Sequence, residues 1–184
     1  MFRNVLCACI CLAAALTAIP TSKAAAASAH EIDARVHETL DRFFYKIGGA
    51  RELANKAVGI LVFPSVVKAG FGVGGEYGEG ALLIRGRTVD YYNTVSASVG
   101  FQLGVQERSV IIMFMTPEAL QQFRRTAGWK VGADASVAII TVGVGGSIDT
   151  NKITSPVVGF ILDPKGLMYN LTLEGSKISR INPR

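Results

Sequence analysis

Side chains able to do acid–base or nucleophilic work are scarce in this chain. Histidine occurs twice, as His30 and His37, and no G-x-S-x-G segment accompanies them. The three cysteines, Cys7, Cys9 and Cys11, all fall in the first apolar run. A hydrolase triad and a His/Cys metal site therefore lack their parts. Glu76, Glu79 and Asp90 have the chemistry for an oxygen-lined cation site, but their spacing is not that of a calcium loop, and solvated turn positions are the better account of Glu76 and Glu79. Gly70-Phe71-Gly72-Val73-Gly74-Gly75 satisfies G-x-G-x-x-G. That dinucleotide fingerprint needs a helix directly after it. Here Glu76-Tyr77-Gly78-Glu79-Gly80 is a poor helix start, so the pattern points away from nucleotide binding. The residues predict no enzyme activity, no cofactor and no metal.

Positive charge is what remains. Arg35, Arg42 and Lys46 lie along the first helical segment, Lys56 and Lys68 flank the glycine-rich strand, and Arg85 and Arg87 sit on a hairpin tip. Each cation near an anionic surface adds about 1 kcal/mol, so three or four on one side give weak, salt-sensitive adsorption. These seven are the candidate binding residues, and ordinary solvation is the competing explanation for each. The formal charge of +5 falls to +3 if Arg3 and Lys23 are removed with a leader, since no acid precedes Glu31. That mild excess suits an anionic membrane and is far from the basic tail of a nucleic-acid binder.

Residues 1–29 read as a secretory leader. Arg3 starts it, Val5 to Ala18 forms the apolar run, and Ala27-Ser28-Ala29 offers a small-x-small cleavage site. The run is shorter than the ~20 residues of a spanning helix, and Pro20 breaks it. Leu6-Cys7-Ala8-Cys9 comes too early to serve as an acylation site. The expectation is an exported protein, periplasmic or bound to the envelope, with a single domain over residues 30–184 and no thiol after cleavage.

The elements that position these residues follow from periodicity. Ile32, Val36, Leu40, Phe43, Phe44 and Ile47 form one helical stripe, which Gly48-Gly49 ends. That stripe suits either a helix covering a sheet or an amphipathic helix lying in a lipid surface. A short helix is expected over 51–57. Ile60 to Phe63 reads as a strand ending at Pro64. Gly70, Gly72 and Gly74 fall on one strand face, with Ala69, Phe71 and Val73 on the other. Such a bare face implies close approach of another element or a sharp bend. The alternation returns at Val99 to Val105 and at Val142 to Gly146. Tyr77-Gly78-Glu79-Gly80 is expected as a turn, Arg85-Gly86-Arg87 as a hairpin tip, and Glu107-Arg108 as another turn. Thr116-Pro117-Glu118 starts a helix reaching residue 127. Strands are expected over 136–144, 157–162 and 167–174, with Asp163-Pro164-Lys165-Gly166 as a turn. The fold class is α+β: a curved, glycine-rich antiparallel sheet, with closure toward a barrel as one form of that curvature, covered by N-terminal helices and one further helix. Asn170-Leu171-Thr172 is formally a glycosylation sequon, but a strand position argues against its use.

Ala57-Val58-Gly59-Ile60-Leu61-Val62-Phe63-Pro64, then Lys68-Ala69-Gly70-Phe71-Gly72, then Gly78-Glu79-Gly80, resemble the SYLF domain family. Further echoes are Ser96 to Gly104, Lys165-Gly166-Leu167, and Leu173-Glu174-Gly175-Ser176. The resemblance implies binding of phosphoinositides or other anionic lipids, and it singles out Lys68, which stands directly before the glycine strand. In eukaryotic relatives it also implies an actin-associated role and links the N-terminal segment to membranes. The leader looks bacterial, so actin is not an expected physiological partner. The reading is an exported, non-enzymatic module for anionic lipid head groups; the alternative is a self-associating structural protein of the envelope. The oligomeric state is left open.

Overall fold

The computed structural model describes residues 27–140, 146–166, 173 and 175–183, with the backbone alone given for 71–73, 98–104 and 163–166. The leader, apart from its last three residues, lies outside the described residues. So do Cys7, Cys9 and Cys11, residues 141–144 of the strand expected over 136–144, most of the strand expected over 167–174, and the sequon at Asn170.

Ser28 caps α1 (Ala29–Lys46), its Oγ accepting from the Glu31 amide at 3.2 Å. Ile32, Val36, Leu40 and Phe43 are all buried on one sheet face, against Val62, Leu83, Ile111, Met113 and Phe160. Of the two roles open to that apolar stripe, packing on the sheet is the one observed. Asp33 adds a polar anchor: Thr88 Oγ1 and Tyr91 Oη donate to its two carboxylate oxygens, each at 2.9 Å. Gly49 carries φ +77° and starts α2 (Ala50–Lys56).

Two long strands follow. β1 (Gly59–Ile84) and β2 (Arg87–Phe114) pair antiparallel along their whole length, joined by Arg85 and Gly86, both at positive φ. That two-residue turn, of I′ geometry, matches the right-handed twist of the strands. α3 (Pro117–Arg125) is capped by Thr116. Its Leu120 and Phe123 pack on the opposite sheet face with Leu61, Phe63, Ile112, Phe114 and Trp129. Phe123 centres that cluster, 4.8 Å from Tyr92 and from Phe114 and 5.3 Å edge-on to Trp129. β3 (Trp129–Lys130), β4 (Ala138–Ile140), β5 (Val157–Gly166) and β6 (Lys177–Ile181) complete the sheet, in the order β3-β6-β2-β5-β4 with β1 on β2. The sheet curls into a half-barrel covered by helices, so each of its faces carries a core.

The α+β class and the curved sheet agree with the sequence reading, but several local expectations do not. β4 runs parallel to β5, the one parallel pair among the described strands. Pro64 does not end a strand. It sits at a register shift between Phe63 and Val66, where a residue without an N–H is tolerated. Glu76 to Gly80 is not a turn but the interior of β1, and Glu107-Arg108 lies inside β2 opposite Val67 and Val66. Asp163 to Gly166 continues β5, with Lys165 opposite Glu107. β3 and β6 were not expected at all.

The glycines explain the long strands. A Cβ on Gly78 would stand 2.8 Å from the Ser65 carbonyl oxygen and 2.9 Å from Val66 Cγ2. One on Gly80 would overlap the carbonyl oxygen of Val62. β1 therefore curls until its later half lies against its own first residues, and only a side chain of zero size fits there. Turn-type residues are present because the backbone needs room, not because it reverses.

Candidate functional site

The two faces of the hairpin differ beyond the Phe63/Val66 bulge. Inward, toward the α3-side core, point Val66, Lys68, Glu76, Gln106 and Arg108, all buried. Outward point Val67, Ala69, Tyr77, Val95 and Val105, all exposed, Val105 at 62%. Ala69 faces Val105 across the ladder and Tyr77 faces Val95, so these residues form continuous apolar ground. Charge inside and hydrocarbon outside inverts the ordinary arrangement of a half-buried strand pair.

The inner charges form one cluster. Arg108 Nη2 donates to Glu76 Oε2 at 2.7 Å, and Lys68 Nζ lies 3.4 Å from Glu76 Oε1. All three side chains are at least nine-tenths buried, so two cations share one carboxylate away from water. Burial lowers the Arg108 pKa from its ordinary value, and the neighbouring Glu76 charge acts the other way. A small void of about 10 Å³ lies beside Arg108 and Glu76, between Thr94, Val110 and Ile178.

On the outer side an open groove of about 740 Å³ separates the start of α1 from the hairpin. Val67, Ala69, Tyr77 and Val95 make its floor, and Glu31, Arg35 and Glu79 its charged lip. Glu79 Oε1 accepts from Tyr77 Oη at 2.6 Å, and Glu79 Oε2 from the Ala27 amide at 3.0 Å. The Tyr77 pKa is raised, first by burial and then by that bond and the Glu79 charge.

A second recess, of about 480 Å³, lies where α3 meets β6. Arg124, Arg125, Lys177 and Arg180 line it. Arg124 and Arg180 share the Asp90 Oδ2 oxygen, at 3.3 and 3.2 Å, and Arg180 also lies over the Tyr92 ring at 5.9 Å. Four cations against that shared carboxylate leave a net positive hollow, a chemical match for an anionic group. Arg124 and Arg125 stand in the last turn of α3, where cations favour the helix dipole. Lys177 and Arg180 arrive from about fifty residues later, on a strand the sequence did not disclose.

The seven sequence candidates do not converge. Lys68 is buried on Glu76 and presents no charge to solvent. Arg42 is half-buried and donates to Ser109 Oγ at 3.1 Å. Arg35 is exposed on the groove lip and paired with Glu31 in the next turn back. Lys46 is exposed in the last turn of α1. Lys56 and Arg85 share a further groove, of about 680 Å³, between α1, α2 and the β1–β2 turn. Arg87 is exposed beside it in sequence. Lys56 is engaged by Glu52 at 2.9 Å and Thr150 at 3.1 Å. Among the described residues no three His, Cys, Asp or Glu side chains gather as a metal site, and no helix is long and apolar enough to cross a membrane.

Comparison with known families places this geometry in context. Residues 95–182 match the Ysc84 family model, described as Las17-binding protein actin regulator. The match spans β2 from Val95 on, α3 and β3 to β6, and so includes Arg108 and the recess cations Arg124, Arg125, Lys177 and Arg180, but not Asp90 or Tyr92. No curated protein matches the chain.

Proposed function

From a chain that carries a Ysc84 (SYLF) family domain, we propose an exported, non-enzymatic module that adsorbs to membranes bearing anionic lipid head groups. The inverted hairpin carries this reading. Strands that meet lipid alternate apolar-out and polar-in, and this is the pattern of Val67, Tyr77, Val95 and Val105 against Lys68, Glu76 and Arg108. Full burial of such a side chain is worth roughly 1.5–3 kcal/mol. Because all four already stand partly covered, each recovers about 1 kcal/mol at an acyl boundary. The recess at Arg124, Arg125, Lys177 and Arg180 adds about 1 kcal/mol for each cation not already matched by Asp90. The two contributions are of similar size, so binding needs both hydrocarbon contact and negative charge.

Vesicle flotation tests the reading. Phosphatidylcholine vesicles should bind little. Vesicles containing phosphatidylglycerol or a phosphoinositide should carry the protein upward, less so as salt rises. Val105→Asp on the apolar face and Arg180→Glu in the recess should each weaken flotation at least fivefold while leaving the fold intact. Negligible binding to every vesicle type, or unchanged binding by both variants, would refute the proposal. Light scattering separates it from self-association through the same face, which gives a stable oligomer and no lipid affinity. The family description speaks of actin regulation; co-sedimentation with filaments is expected to be negative for this chain.

A further inference from the structure

The groove between α1, α2 and the β1–β2 turn shares no residue with the apolar hairpin groove or with the basic recess. At about 680 Å³ it falls within the ~300–1,000 Å³ of small-molecule sites. Its floor is apolar. Phe44, Ala57, Ile60 and Ile84 line it half-buried, and Leu40 and Leu83 complete the lining from the core. The polar lining is divided by element. α1 supplies acceptors, His37 and Asp41, one turn apart. The Asp33 carbonyl accepts from His37 Nδ1 at 2.7 Å, so a neutral ring keeps Nε2 as an acceptor. α2 and the turn supply Asn55, Lys56 and Arg85, whose side chains all donate. Lys56 is already engaged by Glu52 and Thr150. Among the described residues no hydrogen bond or ion pair engages Asp41 or Arg85, and the two do not pair with each other. Arg85 also stands at φ +53°, in a turn position that Asn or Gly ordinarily fills. The turn keeps a less favourable residue there, and that residue puts a guanidinium on the groove.

We propose that this groove binds a short apolar peptide with free termini. The peptide's N-terminal ammonium meets Asp41 and donates to His37 Nε2. Its C-terminal carboxylate meets Arg85, and its side chains cover the apolar floor. Two unpaired charges of opposite sign on one groove are matched by a ligand that carries both. A fatty acid answers Arg85 but leaves Asp41 against hydrocarbon. A lipid head of net negative charge is repelled by the same Asp41. A peptide separates its two charges by ~3.3–3.6 Å for each residue added, so its length can be fitted to the span. The hydrocarbon between them replaces water over Phe44, Ile60 and Ile84.

The test is calorimetric titration of the full-length protein with dileucine, trileucine and tetraleucine. Saturable binding of at least one is expected. Acetylating the N-terminus of that peptide, or amidating its C-terminus, should each weaken binding about fivefold, the factor that corresponds to ~1 kcal/mol for an exposed ion pair. Asp41→Asn should cost as much as acetylation and make acetylation without further effect. Arg85→Asn should do the same for amidation, and Asn suits the left-handed turn position, so the hairpin is kept. Binding of none of the three peptides, or blocked peptides that bind as well as free ones, overturns the proposal. So does binding of decanoate in place of the peptides, which would give the groove to an acyl chain. The blocked-peptide comparison needs no variant and so does not depend on how a variant folds. Vesicle binding enters neither arm.

Discussion

Replacing Glu76 by Gln removes the carboxylate that two buried cations share. At an effective dielectric constant of ~20, the attraction to Arg108 across 2.7 Å is about 6 kcal/mol, and that to Lys68 across 3.4 Å about 5 kcal/mol. Desolvation of three ions, at several kcal/mol each, offsets most of this gain, so the intact cluster adds little beyond what apolar side chains would. Removing the anion alone is another matter. Lys68 and Arg108 stay dry, lose their shared partner and repel each other. Glu76→Gln is therefore expected to cost about 3–5 kcal/mol, a large share of the ~5–15 kcal/mol that holds a domain together. At roughly 2–4 °C per kcal/mol for a domain of this size, Tm should fall by about 6–20 °C. Thermal and urea unfolding followed by circular dichroism would measure it, with an unchanged m-value showing that the unfolded state is not what moved. The triple change Lys68→Met, Glu76→Leu, Arg108→Met should recover most of the loss, because no charge is then left unpaired. A Glu76→Gln protein within about 1 kcal/mol of wild type would show that water reaches the cluster, and the reasoning from its burial would fail.

The glycine argument predicts a contrast within one strand. Gly80→Ala, whose Cβ would overlap the Val62 carbonyl oxygen, should destabilise by about 3 kcal/mol or more. Gly75→Ala, whose nearest neighbour is the Ser96 carbonyl oxygen at 3.8 Å, should stay within about 0.5 kcal/mol; urea midpoints compare them directly. Tyr92 gives a pH dependence. Burial raises its pKa, so the folded state holds the proton more tightly than the unfolded chain. Its contribution should be fully present below the ordinary tyrosine value of about 10 and fade as pH climbs through the raised folded value. Tyr92→Phe should flatten that alkaline arm of the stability curve, and ultraviolet titration should show a late-ionising tyrosine missing.

The helices and the hairpin tip were legible because their signals are local. Thr116-Pro117-Glu118, the Ile32-Val36-Leu40-Phe43 stripe and Arg85-Gly86-Arg87 each carry their own cap, period or turn chemistry. The sequence reading puts the need for room at Gly70, Gly72 and Gly74; the structure shows it at Gly78 and Gly80, which read as turn residues. Their turn-like composition nevertheless misled, since a curled strand and a tight turn ask for the same residue. The family motif singles out Lys68 as a binding cation, and its burial goes against the rule that lysine rarely lies inside. Its partner Glu76 and their shared neighbour Arg108 meet only through the strand ladder, which no local window contains. The basic recess failed for the same reason. Lys-Ile-Ser-Arg-Ile at 177–181 lacks the strict alternation that marks a strand, so nothing in it points back to Arg124 and Arg125.

One residue sets which face of the hairpin is which. Phe63 pairs with Val110 and Val66 with Arg108, so β1 spends one more residue than β2 between those rungs. Had the same chain paired without the bulge, with Ser65 opposite Arg108, Val67, Ala69 and Tyr77 would turn inward and Lys68 and Glu76 outward. That is the ordinary pattern of a water-soluble strand. The bulge at Pro64 and Ser65 thus produces the inversion, and the glycines lock it. In the slipped register Tyr77 and Glu79 would stand where Gly78 and Gly80 now clear Val62, Ser65 and Val66. Deleting Ser65 takes out the extra residue but leaves Val66 opposite Arg108, so it is expected to keep both faces as they are and to lose only the local bend. Soluble yield, near-ultraviolet circular dichroism and vesicle flotation of the deletion variant would decide it. A folded Ser65-deletion protein that no longer floats with anionic vesicles would mean that the outward apolar face is not what holds the protein to lipid.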